Sequence, residues 1–197
     1  MTLQQFPAKI YRWWWWRRHL VYTMLMRAWL RFRGATIDPT ARFWGPIEVR
    51  GDVRGLVIGA DVTLEAHVFI WLHGTLARPA QLTIGAHSYV GRYAAITVDE
   101  RVTLGVRSTI SAFTSLQDHD HGTAHGVSMR DLPLDTRPII IEDDAWIGMH
   151  CVVLRGVTIG TSAIIGAGSV VTRSIPAHMI AFGVPAQVAR PRASESP

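Results

Sequence analysis

The chain has 197 residues, 48% of them apolar and 18% charged, enough for one domain with its own core and too apolar for a chain disordered by composition. Its single cysteine, Cys151, excludes an intramolecular disulfide framework; set in an apolar stretch with no base beside it, it reads as a small buried hydrophobe rather than a nucleophile. The formal charge of +5 is uneven: residues 1–34 hold Lys9, Arg12, Arg17, Arg18, Arg27, Arg31 and Arg33 and no acid, whereas the remainder sets thirteen arginines against fifteen acids. The body therefore lacks the basic face that nucleic-acid binding requires.

Residues 10–33 are free of Gly and Pro and predict a helix ending at Gly34. Trp13, Trp14, Trp15 and Trp16 are consecutive, so one helical face cannot hold them all; Trp29 and Phe32 follow, interleaved with Arg27, Arg31 and Arg33. Two environments suit this composition equally: a lipid headgroup interface, or packing against the end of the folded assembly. Arg17, Arg18 and His19 follow the tryptophans at once, without a small-residue cleavage site, so no signal peptide is read here. The apolar run Leu20 to Met26 is far below the roughly 20 residues of a spanning helix. The expectation is a cytoplasmic protein, or one peripheral on the inner membrane surface through residues 10–33.

From residue 35 onward a six-residue period takes over. Ile58, Leu64 and Ile70 form one block; Ile84, Val90 and Ile96 a second; Leu104 and Ile110 a third; and Ile141, Ile147, Val153, Ile159, Ile165 and Val171 a fourth. Four positions after most of these lies a compact residue, such as Ser88, Ala94, Ser108, Ala145, Cys151, Ala163 or Ser169. Neither a helix (period 3.6) nor a simple strand (period 2) explains a strict six. A triangular coil does: each unit is one short flat strand plus one corner, the aliphatic residue fills the prism, and stacked turns pair as parallel strands. The phase breaks near 72–83, 97–103 and 116–138. The expected organisation is a basic, Trp-rich helical segment at 1–34, the solenoid at 35–176, and a closing segment at 177–197 whose polar end, Ala193 to Pro197, predicts disorder.

The break at 116–138 is the longest, and a solenoid needs only tight corners, so an insertion of this length reads as functional. It carries Asp118, His119, Asp120, His121 and His125. Histidine suits proton removal at neutral pH, and a neighbouring carboxylate can orient the ring.

The segments IEDDAWIG (141–148), LRGVTIG (154–160), IIGAGSVVT (164–172) and AFGVPAQVAR (181–190) closely resemble the hexapeptide-repeat acyltransferases, most of all the sugar and polysaccharide O-acetyltransferases of the maltose and colanic-acid acetyltransferase type. The resemblance covers residues 36–190. It implies an all-β solenoid, a left-handed parallel β-helix, assembled as a homotrimer with sites in the clefts between subunits; the period alone gives only the solenoid. It further implies acyl transfer from acetyl-CoA (or another acyl-CoA) to a hydroxyl of a sugar or glycan, with no metal. His119 in the Asp118–His119 pair matches the family's base best, with His121 the runner-up and Asp120 beside them. Coenzyme A is expected along Trp146, Gly148, Gly166 and Ala167, the Gly183–Ala186 turn with Pro185, and the cations Arg173 and Arg190; Gln187 stands where the family often has Lys. For the acceptor, Tyr93 falls where maltose-type enzymes have Asn, and Arg92, Tyr93 and Asp99 are the candidates to touch it.

Two other functions use the same features differently. γ-Type carbonic anhydrases hold zinc with three histidines across a trimer seam, for which His67, His87, His119, His121 and His125 are the candidates here. A non-catalytic membrane-surface scaffold would use the rigid repeat and the tryptophans, but leaves the His119 loop unexplained.

Overall fold

The computed structural model describes residues 8–75 and 77–193. A helix spans Ala8–Phe32; the side chains of its residues 8–16 and 18, Trp13 to Trp16 among them, lie outside the described residues, as does the end of the polar tail, 194–197. Short strands then wind a left-handed parallel β-helix with three flat faces. The first and third faces each carry six strands, and the second carries eight because a closing hairpin joins it.

The inward columns are those the six-residue period marks. Ile37, Ile58, Ile84, Leu104, Ile141 and Ile159 stack in register on the first face. Phe43, Leu64, Val90, Ile110, Ile147 and Ile165 do so on the second, and Val49, Ile70, Ile96, Leu116, Val153 and Val171 on the third. All are buried. No single strand could bury its own face, so the stacking itself makes the core. The compact residues four positions on are buried too, and the polar ones among them are satisfied locally. The Ser88 hydroxyl donates to the Gly105 carbonyl (2.7 Å), Thr114 to that of Gly148 (2.8 Å) and Ser169 to that of Gly166 (2.6 Å). A larger residue there would strike the corner; an unbonded hydroxyl would carry a desolvation cost.

Two of the three corners turn mostly through left-handed residues. His67, Tyr93, Phe113 and His150 occupy the same corner of successive turns with φ between 56° and 64°. The N–H of each later one donates to the turn before: Tyr93 to Ala66, Phe113 to Arg92, His150 to Ala112. Fixed in this way, the four rings stack outward at centroid spacings of 4.8, 5.0 and 4.8 Å, so offset aromatic packing reinforces the corner.

Both ends of the solenoid are covered, which protects its exposed strand edges. At the start, the helix lays Tyr22, Thr23, Met26 and Leu30 on the first turn. The Thr23 hydroxyl donates to the Phe43 carbonyl (3.0 Å) and accepts from its N–H (3.1 Å), and the Tyr22 hydroxyl accepts from Ile47 N–H (3.0 Å). At the far end, Met179–Gly183 and Ala186–Pro191 form an antiparallel hairpin. Among the described residues no helix is long and apolar enough to cross a membrane.

The excursion is shorter and more ordered than the sequence suggests. Leu116 and Gln117 stay in the third-face strand Ser115–Gln117, paired with Ile96 and Thr97. The chain leaves at Asp118 and folds as a hairpin in which His119–His121 pairs antiparallel with Leu134–Thr136; a 3₁₀ turn at Met129–Asp131 precedes the return strand.

Candidate active site

The three phase breaks all fall at one corner, between the third face and the first. Leu72 pairs with Val98, and Thr97 with Gln117, so the next positions, His73, Asp99 and His119, occupy equivalent places in three successive turns. Their side chains form a column. His119 is 7% exposed; its Nδ1 lies 2.7 Å from Asp99 Oδ2 and 3.3 Å from Asp118 Oδ1. The Asp118 contact is aligned as a hydrogen bond, while Asp99 Oδ2 makes a charge contact and has no hydrogen-bonded partner among the described residues. His73 Nδ1 approaches Asp99 Oδ2 at 3.5 Å, its ring lies 5.5 Å from that of His119, and Trp71 packs on it at 4.0 Å.

The two carboxylates differ in kind. Asp118 is fully buried, and its oxygens accept the backbone N–H groups of Asp99 (2.8 Å), Glu100 (2.9 Å) and Arg101 (2.8 Å). It pins the corner that carries Asp99 through three fixed donors. Asp99 receives no such donors: burial pushes its carboxyl above the usual carboxylate range, against the pull of His119 and His73. The column thus pairs an imidazole with a desolvated carboxylate whose charge is best balanced by imidazolium.

Asp120, grouped with the base on sequence, is placed elsewhere, while His121, two residues on, keeps the strand side of His119 and lies within electrostatic reach of Asp99. Strand alternation turns Asp120 away from the His119 side, and Arg155 takes it: Arg155 Nε donates to Asp120 Oδ2 (2.8 Å) and Nη1 meets Asp135 Oδ2 at 2.9 Å. One guanidinium therefore clamps both strands of the hairpin. His121 and His125 are exposed. Thr136 Oγ1 donates to Glu100 Oε2 (3.0 Å), tying the hairpin back to the Asp99 corner. A polar cavity of about 610 Å³, lined by Arg78, Gln81, Asp99, Glu100, Arg101 and Thr136 among others, opens beside it.

The residues expected to touch coenzyme A divide between two corners. Trp146, Gly148, Gly166 and Ala167 lie on the second face and at the corner after it. Trp146 is exposed, with its indole N–H donating to Ser111 Oγ (3.1 Å). A Cβ on Gly148 would come within 2.6 Å of Ala167 N, so stacking alone demands glycine there. Pro185 sits in the tight turn of the closing hairpin, and Arg190, opposite Ile180, is exposed on its outer strand. Arg173 instead follows the third face, at the corner of His119. Of the acceptor candidates, Arg92 and Tyr93 sit at the aromatic-ladder corner, Arg92 3.7 Å from Glu65. Asp99 alone lies at His119, and it faces the imidazole rather than standing apart from it.

The zinc trio does not assemble within the chain. His67 and His87 occupy two other corners. Among the described residues Asp99, Asp118 and His119 bring ligand atoms within 4.8 Å of one another, but both Asp118 oxygens are already committed to backbone donors, a poor fit to a cation. Cys151 is buried, its thiol pushed up by burial, with Sγ donating to the Gly166 carbonyl (3.2 Å); it is a packing residue.

His73 and Arg155 had no motif to mark them. The signal that finds His73 is the register: numbering each turn from its inward aliphatic residue puts 73, 99 and 119 in one column, and Arg155 lies outside it.

Residues 138–173 match the family described as bacterial transferase hexapeptide (six repeats). Over 53 residues the chain is 53% identical to galactoside O-acetyltransferase of Escherichia coli K12, a stretch covering 27% of this chain and 26% of that protein; the match thus spans about a quarter of the relative's length. Two solved structures share the fold. One is a variant of AntD, an N-acyltransferase from Bacillus cereus, in complex with dTDP-4-amino-4,6-dideoxyglucose and coenzyme A: TM-score 0.72, 18% identity, 86% of this chain and 90% of that one. The other is a hexapeptide-repeat acetyltransferase of Vibrio cholerae complexed with acetyl coenzyme A: TM-score 0.52, 22% identity, 77% and 73% coverage.

Proposed function

We propose that this protein transfers an acyl group, acetyl foremost, from acyl-coenzyme A to a hydroxyl of a sugar or glycan, with His119 as general base. The observation that carries it is the His119 imidazole, almost buried, with Nδ1 held against Asp118 and Asp99 and Nε2 left to take a proton. The activity of the galactoside relative, with the coenzyme A complexes of the two structural neighbours, supports the reaction class.

In this reaction His119 Nε2 removes the hydroxyl proton as the oxygen attacks the thioester carbonyl. The new C–O bond forms, the C–S bond breaks, and the imidazolium returns its proton to the departing thiolate. Asp99 and Asp118 fix the ring and balance the imidazolium charge. A hydroxyl needs this help because it is a poor nucleophile while protonated. The acceptor lies in the polar cavity beside Asp99, where Arg78, Gln81, Glu100 and Arg101 offer donors and acceptors to sugar hydroxyls. Much of the rate then comes from holding two substrates together. Coenzyme A runs along the Trp146–Gly148–Ala167 corner. That corner and the His119 corner are different edges of one prism, so the complete site lies between two copies of the chain, in a homotrimer.

The test is acceptor-dependent release of coenzyme A thiol, followed across a size-exclusion profile with galactosides, nucleotide-linked sugars and glycans as acceptors. Activity is expected in the fraction with the mass of three chains. An active monomer would contradict the shared site, and release that no sugar stimulates would contradict the activity.

A further inference from the structure

Among its described residues the helix Ala8–Phe32 packs by one face. Tyr22, Thr23, Met26 and Leu30 meet the solenoid. The opposite face carries Val21, Met24, Leu25, Ala28 and Phe32, at the spacing of successive turns, and all five are exposed; Leu25 is 66% exposed and Phe32 90%. An apolar stripe of this length on the outside of an already docked helix is not needed for folding, and contiguous exposed apolar surface marks an interaction site.

Charge decides the occupant. The first 34 residues carry seven cations and no acid. Arg17 lies four residues before Val21, on the outward face. Arg31 and Arg33 reach back to the solenoid, where they bond the carbonyls of Ile37 and Gly51; the cations of the helix's first half, Lys9, Arg12, Arg17 and Arg18, precede the stripe in sequence. A second copy brought stripe to stripe would set these cations against an identical set. An apolar stripe bordered by cations suits instead a surface that is anionic outside and apolar beneath.

We infer that the outward face of this helix is a docking surface for an anionic lipid bilayer, with the apolar side chains entering the acyl boundary and the cations of the helix's first half at the phosphates. The solenoid is then held at the membrane surface by a helix that lies in its plane and does not cross it. This is independent of the chemistry proposed above.

The experiment uses the full chain with phosphatidylcholine vesicles, with and without phosphatidylglycerol, and the variant Leu25→Glu/Phe32→Glu. Both positions are exposed, so the fold and assembly mass should be unchanged. Wild type is expected to co-sediment with the anionic vesicles and much less with the neutral ones. Raising salt should weaken binding, by about fivefold for each cation engaged, and leave an apolar remainder. The double variant should partition at least about tenfold more weakly. Three results would overturn the inference: wild type remaining in the supernatant with anionic vesicles, the variant sedimenting as well as wild type, or a changed assembly mass in the variant, which would make the stripe a contact between copies. The salt series on wild type stands even if the variant does not fold.

Discussion

His119→Ala is expected to lower the rate of acyl transfer about 10²–10⁴-fold while coenzyme A binding stays close to that of wild type. Removing a general base typically has this size of effect, and the His119 ring has its Nδ1 held by carboxylates on two sides. Steady-state kinetics give the rate and calorimetric titration the binding. The loss should fall on kcat and kcat/KM alike, as for an interaction made only in the transition state. His121→Ala, at an exposed position of the hairpin, should leave both nearly unchanged. If His119→Ala kept more than half of wild-type turnover while His121→Ala did not, the base would be misassigned.

The second expectation separates the two aspartates. Asp118→Ala leaves the N–H groups of Asp99, Glu100 and Arg101 without their acceptor. At about 1–3 kcal/mol for a stranded donor, the loss is roughly 3 kcal/mol or more, a fall in Tm on the order of 6–12 °C for a chain this size. Asp99→Asn should do the reverse. Burial raises the Asp99 carboxyl; a folded-state value above the unfolded one stabilises at low pH and is lost as pH rises through the folded value. At neutral pH the ionised carboxylate is therefore a liability to folding, and the isosteric amide should hold or raise Tm. Activity should nevertheless fall, on the order of 10²-fold, because the imidazolium loses its counter-charge. Thermal melts with kinetics on both variants check the pair. A destabilised Asp99→Asn with intact kcat, or an Asp118→Ala as stable as wild type, would reverse the roles given to the two side chains.

The period of six was enough to read the prism, because each inward aliphatic residue must fill the same space in every turn: Ile141, Ile147 and Val153 face inward on three consecutive faces just as their spacing requires. His119 was legible for a similar reason, as a titratable residue in an insertion that the coil does not need. The partnership was less legible. Adjacency in sequence favoured Asp118, which does meet the ring, and Asp120, which strand alternation turns away; in a solenoid the other neighbours that matter are a full turn away. Asp99 and His73 reach His119 through stacking, across insertions of unequal length that hide the register from a fixed-period count. The coenzyme residues show the opposite limit: Gly148 and Gly166 are required by coil packing as well, so their presence alone does not reveal a ligand.

The most direct measurement follows labelled acetyl from acetyl-coenzyme A into a sugar that offers only hydroxyls, comparing wild type with His119→Ala. An alkali-labile ester label on the sugar is expected from wild type and almost none from the variant. Label confined to amino sugars as an alkali-stable amide, or transfer to hydroxyls undiminished without the His119 imidazole, would contradict the account.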